Sequence, residues 1–138
     1  MVCERLDGDR VTALDRSPKM IEMAERRNQP RASKARFVAA SLEEADLGDE
    51  TYDKVFAVNV AALHKPGEAL DTVRRRLAPG GRLYLFGQAP GWKASEQAEG
   101  FGAEFSSVLE GAGFEIEETL VKYLGTGLAA AVVARPSR

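Results

Sequence analysis

Apolar and polar positions alternate along this chain in blocks that read as strands and helices in turn. In "RVTAL" (10–14), Val11, Thr12, Ala13 and Leu14 lack a polar face, which predicts a short strand covered on both sides. Ser17 stands where a helix N-cap belongs. Pro18 suits the first helical position, because proline has no N–H to leave unsatisfied there. Met20, Ile21 and Ala24 then mark one face of a short amphipathic helix that runs into "ERRN". "ARFVAA" (35–40) predicts a second strand and "YDKVFAVNV" (52–60) a third. Ala69, Leu70, Val73 and Leu77 recur at helical spacing, and Pro79-Gly80-Gly81 predicts the stop of that helix. "RLYLFG" (82–87) predicts a fourth strand, and "QAPGWKASEQAEG" (88–100) a polar, Gly/Pro-punctuated connection. Phe101, Phe105, Val108, Leu109 and Ala112 predict a further helix closed by Gly113. "FEIEETLVKY" and "LAAAVVA" are the last two strands. Only "LGTG" separates them, so they are expected to form an antiparallel hairpin.

Strands alternating with helices predict an α/β fold with a mainly parallel sheet. The 138 residues suffice for one domain with a core and are too few for two. Charge adds an exclusion: 19 basic against 21 acidic residues give a net charge of −2, which offers no surface for nucleic acid or an anionic membrane. Arg74, Arg75 and Arg76 fall within a helical pattern and are expected to face solvent. The single cysteine, Cys3, rules out an internal disulfide and points to a reducing, cytoplasmic location. No apolar run approaches the length of a membrane span, and "MVCERLDGDR" lacks the apolar core of a signal peptide. No metal-ligating set stands out.

One acid changes the picture. Asp15 closes the first predicted strand, just ahead of the Ser-Pro helix start. In open α/β sheets ligands bind outside the carboxyl ends of the strands, and a carboxylate there can accept two hydrogen bonds from a ribose diol. The alternative is that Asp15 only begins the turn into the helix.

At these residues the chain resembles the class I S-adenosylmethionine-dependent methyltransferases. The resemblance is carried by "VTALDRSPKMIEMAERR", "ARFVAASLEEADLGDETYDKVFAVNV", "LAPGGRLYLF" and the closing hairpin "FEIEETLVKYLGTGLAAAVVA". It implies a Rossmann-like three-layer sandwich with an antiparallel C-terminal hairpin, S-adenosylmethionine as cofactor, and methyl transfer to an acceptor, by default a small molecule. It further implies that Asp15 binds the cofactor ribose and that Arg16 packs against the adenine. Ser41 falls where the family often places an acid for the adenine amino group. The text here is "FVAASLEE", so either Ser41 accepts that hydrogen bond or Glu43 reaches in. Leu42 would offer a backbone N–H and an apolar edge to the ring. Asn59 ends the central strand near the meeting point of methionine and acceptor, or else serves as a strand-end turn former. His64, the only histidine, would face substrate as a base if the acceptor must lose a proton; otherwise it is a loop residue. Trp92 either belongs to a lid over substrate or anchors a surface loop.

Glycine-rich turns in dinucleotide-type sites precede the ribose-binding acid by about 20 residues. Only fourteen residues precede Asp15, and Gly8 stands alone in "LDGDR". "VCERL" resembles the tail of the helix after that turn. Residues 1–138 are therefore expected to form a single incomplete domain, with the first strand and glycine loop missing. The strands "RVTAL" and "VFAVNV" would then lack a shared neighbour, at about 1–3 kcal/mol per unsatisfied buried group. They are expected to pair directly, to accept the N-terminal segment, or to recruit another chain, giving a homodimer through sheet edges. Two further readings stay open: a noncatalytic, self-associating binding module, and a nucleotide-binding oxidoreductase that uses Asp15 in the same way.

Overall fold

The computed structural model describes residues 9–88 and 95–137. The chain divides into two compact units, Met1–Gly48 and Asp49–Arg138.

The first unit is a strand–helix–strand motif. Strand β1 (Val11–Asp15) leads into helix α1 (Pro18–Asn28), a 3₁₀ segment (Gln29–Lys34) and strand β2 (Ala35–Ala39). The two strands pair in parallel from Val11↔Ala35 to Asp15↔Ala39. A parallel pair needs a crossover of a dozen or more residues, and α1 supplies it. Its start is as local as the sequence predicts: the Ser17 Oγ accepts the Met20 N–H at 3.3 Å, with Pro18 in the first turn. Arg26 pairs with Glu22 one turn back. Among the described residues of this unit, Ile21 and Leu47 are the buried apolar side chains. Asn28, also buried, is satisfied by donating to the Ala24 carbonyl at 2.8 Å.

The second unit holds a four-stranded sheet in the order β3-β4-β6-β5. Its strands are β3 (Tyr52–Val58), β4 (Leu77–Gln88), β5 (Phe114–Tyr123) and β6 (Leu128–Pro136), with helices α2 (Glu68–Arg76) and α3 (Ser95–Gly111). β3 and β4 run parallel, while β4–β6 and β5–β6 are antiparallel. This is the mixed α/β, Rossmann-like arrangement expected, closed by the expected hairpin. Inward positions alternate along the strands: Leu83 and Leu85 of β4 and Val132 and Ala134 of β6 are buried, beside Leu70 and Val73 of α2 and Phe105 and Leu109 of α3. Each fully buried Leu contributes about 1.5–3 kcal/mol. On the other face Phe56, Val58, Phe86 and Leu120 are exposed.

Three boundaries differ from expectation. Helix α2 stops at Arg76 rather than continuing to the Pro-Gly-Gly run. Leu77 is extended (φ −75°, ψ 127°) and pairs with Tyr52, so β4 begins there. Its irregular opening needs Gly81, where a Cβ would lie 2.9 Å from the carbonyl oxygens of both Ala78 and Tyr52. Helix α3 begins at Ser95, inside the stretch that reads as a connection. Its buried face continues through Ala98 and Gly102, residues too small to show as an apolar stripe. A 3₁₀ turn, Ala61–Leu63, follows β3 and buries Leu63.

Candidate functional site

In the first unit, four of the residues singled out by sequence gather where β1 and β2 end. The parallel register puts Asp15 opposite Ala39, and Ser41 and Leu42 follow directly on β2. Asp15 is exposed, and its Oδ1 accepts the Ser17 N–H at 2.8 Å. The same Ser17 caps α1, so one short turn both orients the carboxylate and starts the helix. Both readings of Asp15 are thus physically compatible. A carboxylate has about four lone-pair sites, and the turn uses one. Arg16 is exposed beside it.

Ser41 is engaged in a turn of its own. Its Oγ donates to a Glu44 carboxylate oxygen at 3.1 Å and accepts the Glu44 N–H at 3.3 Å. Its carbonyl accepts the Glu44 and Ala45 N–H groups. These bonds close a tight turn over residues 41–45, in which Leu42 is half-buried. Glu44, rather than Glu43, is the acid the structure brings to Ser41. A shallow groove lined by Glu25, Arg26, Asn28, Gln29, Ala35 and Phe37 lies at the amino end of β2, away from this rim.

In the second unit, Asn59 follows β3 with φ +53°, a left-handed conformation that asparagine tolerates better than most residues. Its N–H donates to the Phe86 carbonyl at 3.0 Å, and its Oδ1 accepts the Gln88 N–H at 3.0 Å. Asn59 thereby ties the carboxyl ends of the two parallel strands. Gln88 carries the link onward, its Nε2 donating to the Thr126 Oγ1 at 3.2 Å in the β5–β6 turn. Nothing in the sequence around Gln88 or Thr126 signals this chain of contacts.

His64 sits after the 3₁₀ turn, half-buried against α3. Its ring is 4.2 Å from that of Phe105 and 5.7 Å, edge-on, from that of Phe101, and the two phenylalanine rings are 4.0 Å apart, tilted by 55°. Burial lowers its pKa below the ordinary histidine value, against the weaker opposite pull of Glu104. The shift favours the neutral imidazole. The i, i+4 spacing of Phe101 and Phe105 is legible in sequence; that His64 would be their third member is not. Trp92 lies outside the described residues. Among the described residues no group of three or more His, Cys, Asp or Glu side chains is placed to hold a metal ion, and no helix is long and apolar enough to cross a membrane.

A family model described as "Methyltransferase domain" matches residues 1–85. No curated protein sequence matches the chain. Among solved structures, the methyltransferase CcbJ of Streptomyces caelestis superposes with a TM-score of 0.73 at 17% identity, over 99% of this chain and 78% of that one. The N-methyltransferase NodS of Bradyrhizobium japonicum WM9 gives 0.67 at 19% identity, over 94% and 74%. The magnesium protoporphyrin IX methyltransferase ChlM of Synechocystis PCC 6803, solved with bound SAH, gives 0.64 at 19% identity, over 93% of this chain and 64% of that one. These likenesses fall below 25% identity and establish a shared fold.

Proposed function

The chain belongs to the methyltransferase-domain family, and from that premise we propose that it binds S-adenosylmethionine through the rim of its first unit and serves methyl transfer to a small-molecule acceptor. The observation that carries the proposal is the geometry of Asp15: a carboxylate at a strand end, exposed, oriented by Ser17 and with lone pairs beyond the one the turn uses. Those acceptor lone pairs fit the two hydroxyl donors of a ribose diol. Arg16 beside it suits an adenine face, and the 41–45 turn supplies backbone and the Leu42 side chain in place of the usual acid. Bound S-adenosylmethionine supplies a methyl group on a sulfonium centre. What the protein must add is alignment and exclusion of water rather than strong acid or base.

In the second unit we assign His64 to the acceptor side. Burial favours its neutral form, which can take a proton from an acceptor that must lose one. Asn59 acts there as a positioning residue, through the strand ends it ties together. We take both units as parts of one methyltransferase domain, which the family match supports because it runs across the boundary between them.

Calorimetric titration of the full chain with S-adenosylmethionine, its demethylated product and NAD tests this reading. Heat with the first two and none with NAD is expected. Heat with NAD alone would reassign Asp15 to a nicotinamide enzyme. A flat trace with all three would leave a binding module without nucleotide chemistry and end the proposal.

A further inference from the structure

Among the described residues, strand β5 lies at the edge of its sheet, hydrogen-bonded to β6 on one side, and runs for ten residues. A long open edge is a template for another strand unless something blunts it. The sequence pattern places the need for a partner at the strands of residues 10–14 and 55–60. The geometry of β5 points elsewhere.

The hairpin fixes which groups face outward. The Leu124 N–H donates to the Gly127 carbonyl at 2.9 Å, so residues 124 and 127 form a hydrogen-bonded pair. The alternation of an antiparallel ladder then directs the N–H and C=O of Lys122, Leu120 and Glu118 at β6, opposite Ala129, Ala131 and Val133. Those of Thr119, Val121 and Tyr123 are directed away, at the open edge. Side chains alternate as well: Glu118, Leu120 and Lys122 share the exposed face of the sheet.

This edge is complementary to itself. Laid antiparallel to a second copy about a two-fold axis at Leu120, Thr119 of each strand opposes Val121 of the other. Their outward N–H and C=O groups then form the hydrogen-bonded pairs. Leu120, 48% exposed in the single chain, opposes its own copy. Glu118 opposes Lys122 twice, once on each side of the axis, at non-hydrogen-bonded positions where cross-strand side chains come closest. Glu117, displaced by the irregularity between Ile116 and Glu118, is held on its own sheet by Arg82 at 2.5 Å and Arg135 at 3.7 Å. It therefore does not compete for Lys122. An isologous contact requires this kind of self-match, because each patch must complement its own copy.

We propose that β5 is a homodimer interface, pairing antiparallel with β5 of a second copy about Leu120 to join two four-stranded sheets into one of eight. The proposal is independent of the methyltransferase reading. Sedimentation equilibrium or light scattering on the full chain, up to about 100 µM, is expected to show a dimer. Glu118→Lys alone and Lys122→Glu alone each set like charges opposite one another twice, and each is expected to weaken association at least about tenfold. The double variant Glu118→Lys/Lys122→Glu restores both pairs in reversed sense and is expected to dimerise as the original does. Both side chains are exposed on an edge, and circular dichroism checks that each variant folds. A monomer throughout the concentration range, a dimer indifferent to the single reversals, or a double variant that stays monomeric would each overturn the proposal.

Discussion

Replacing Asp15 with asparagine isolates the carboxylate from the turn it sits in. Asparagine keeps a carbonyl oxygen where the Asp15 Oδ1 accepts the Ser17 N–H at 2.8 Å, so the turn and the helix start are retained. What it loses is the charge. Hydrogen bonds to charged groups contribute about 1.5–3 kcal/mol against about 0.5–1.5 for neutral ones, a difference of about 1 kcal/mol per bond. With two bonds to a ribose diol, Asp15→Asn is expected to weaken S-adenosylmethionine by about 2 kcal/mol, or about thirtyfold in Kd. Asp15→Ala removes both acceptors and also strips the Ser17 N–H of its partner. It is expected to weaken binding beyond a hundredfold, by about 3 kcal/mol or more, and to lower folding stability by about 1 kcal/mol. The assay pairs calorimetric titration with urea unfolding of the same samples. The expected signature is a split: Asp15→Asn loses affinity at unchanged stability, whereas Asp15→Ala loses both. An Asp15→Asn protein that binds the cofactor within about threefold of the original would refute the reasoning, leaving Asp15 as a turn residue.

At Asn59, alanine should be worse than glycine. Both lose the bond to the Gln88 N–H, worth about 1 kcal/mol, but only alanine also meets the left-handed penalty of about 1–2 kcal/mol at φ +53°. Equal urea midpoints for the two variants would contradict that account. A Cβ at Gly87 would fall 2.0 Å from the Phe101 ring, which is packed against Phe105 and His64. Gly87→Ala is therefore expected to cost about 1–3 kcal/mol and to move the His64 ring resonances, with Phe101→Leu recovering part of the loss. For His64 the folded-state pKa lies below the unfolded value of about 6.5. Between the two values the unfolded chain holds more protons. The histidine's stabilising contribution is thus complete above about pH 6.5 and is lost as pH falls from there through the folded value. As the only histidine, His64 can be titrated by NMR without assignment, and His64→Gln should flatten that limb of the stability profile.

Much of this protein was legible without coordinates because the signals are short-range. Ser17, Pro18 and the Met20 N–H lie within one turn, so the start of α1 follows from neighbours in sequence. The place of Asp15 at the end of β1 follows from the apolar run before it. The terminal hairpin follows from two strands with four residues between them. Tertiary structure alone decided the rest. Asn59 reaches a backbone N–H 29 residues away, His64 packs on rings 37 and 41 residues further on, and the first turns of α3 bury residues too small to leave a stripe. The order β3-β4-β6-β5, and with it the exposure of the β5 edge, depends on which strands meet. Periodicity reports only how each segment is buried, and a hydrogen bond or ring contact between distant segments leaves no periodic trace in either of them.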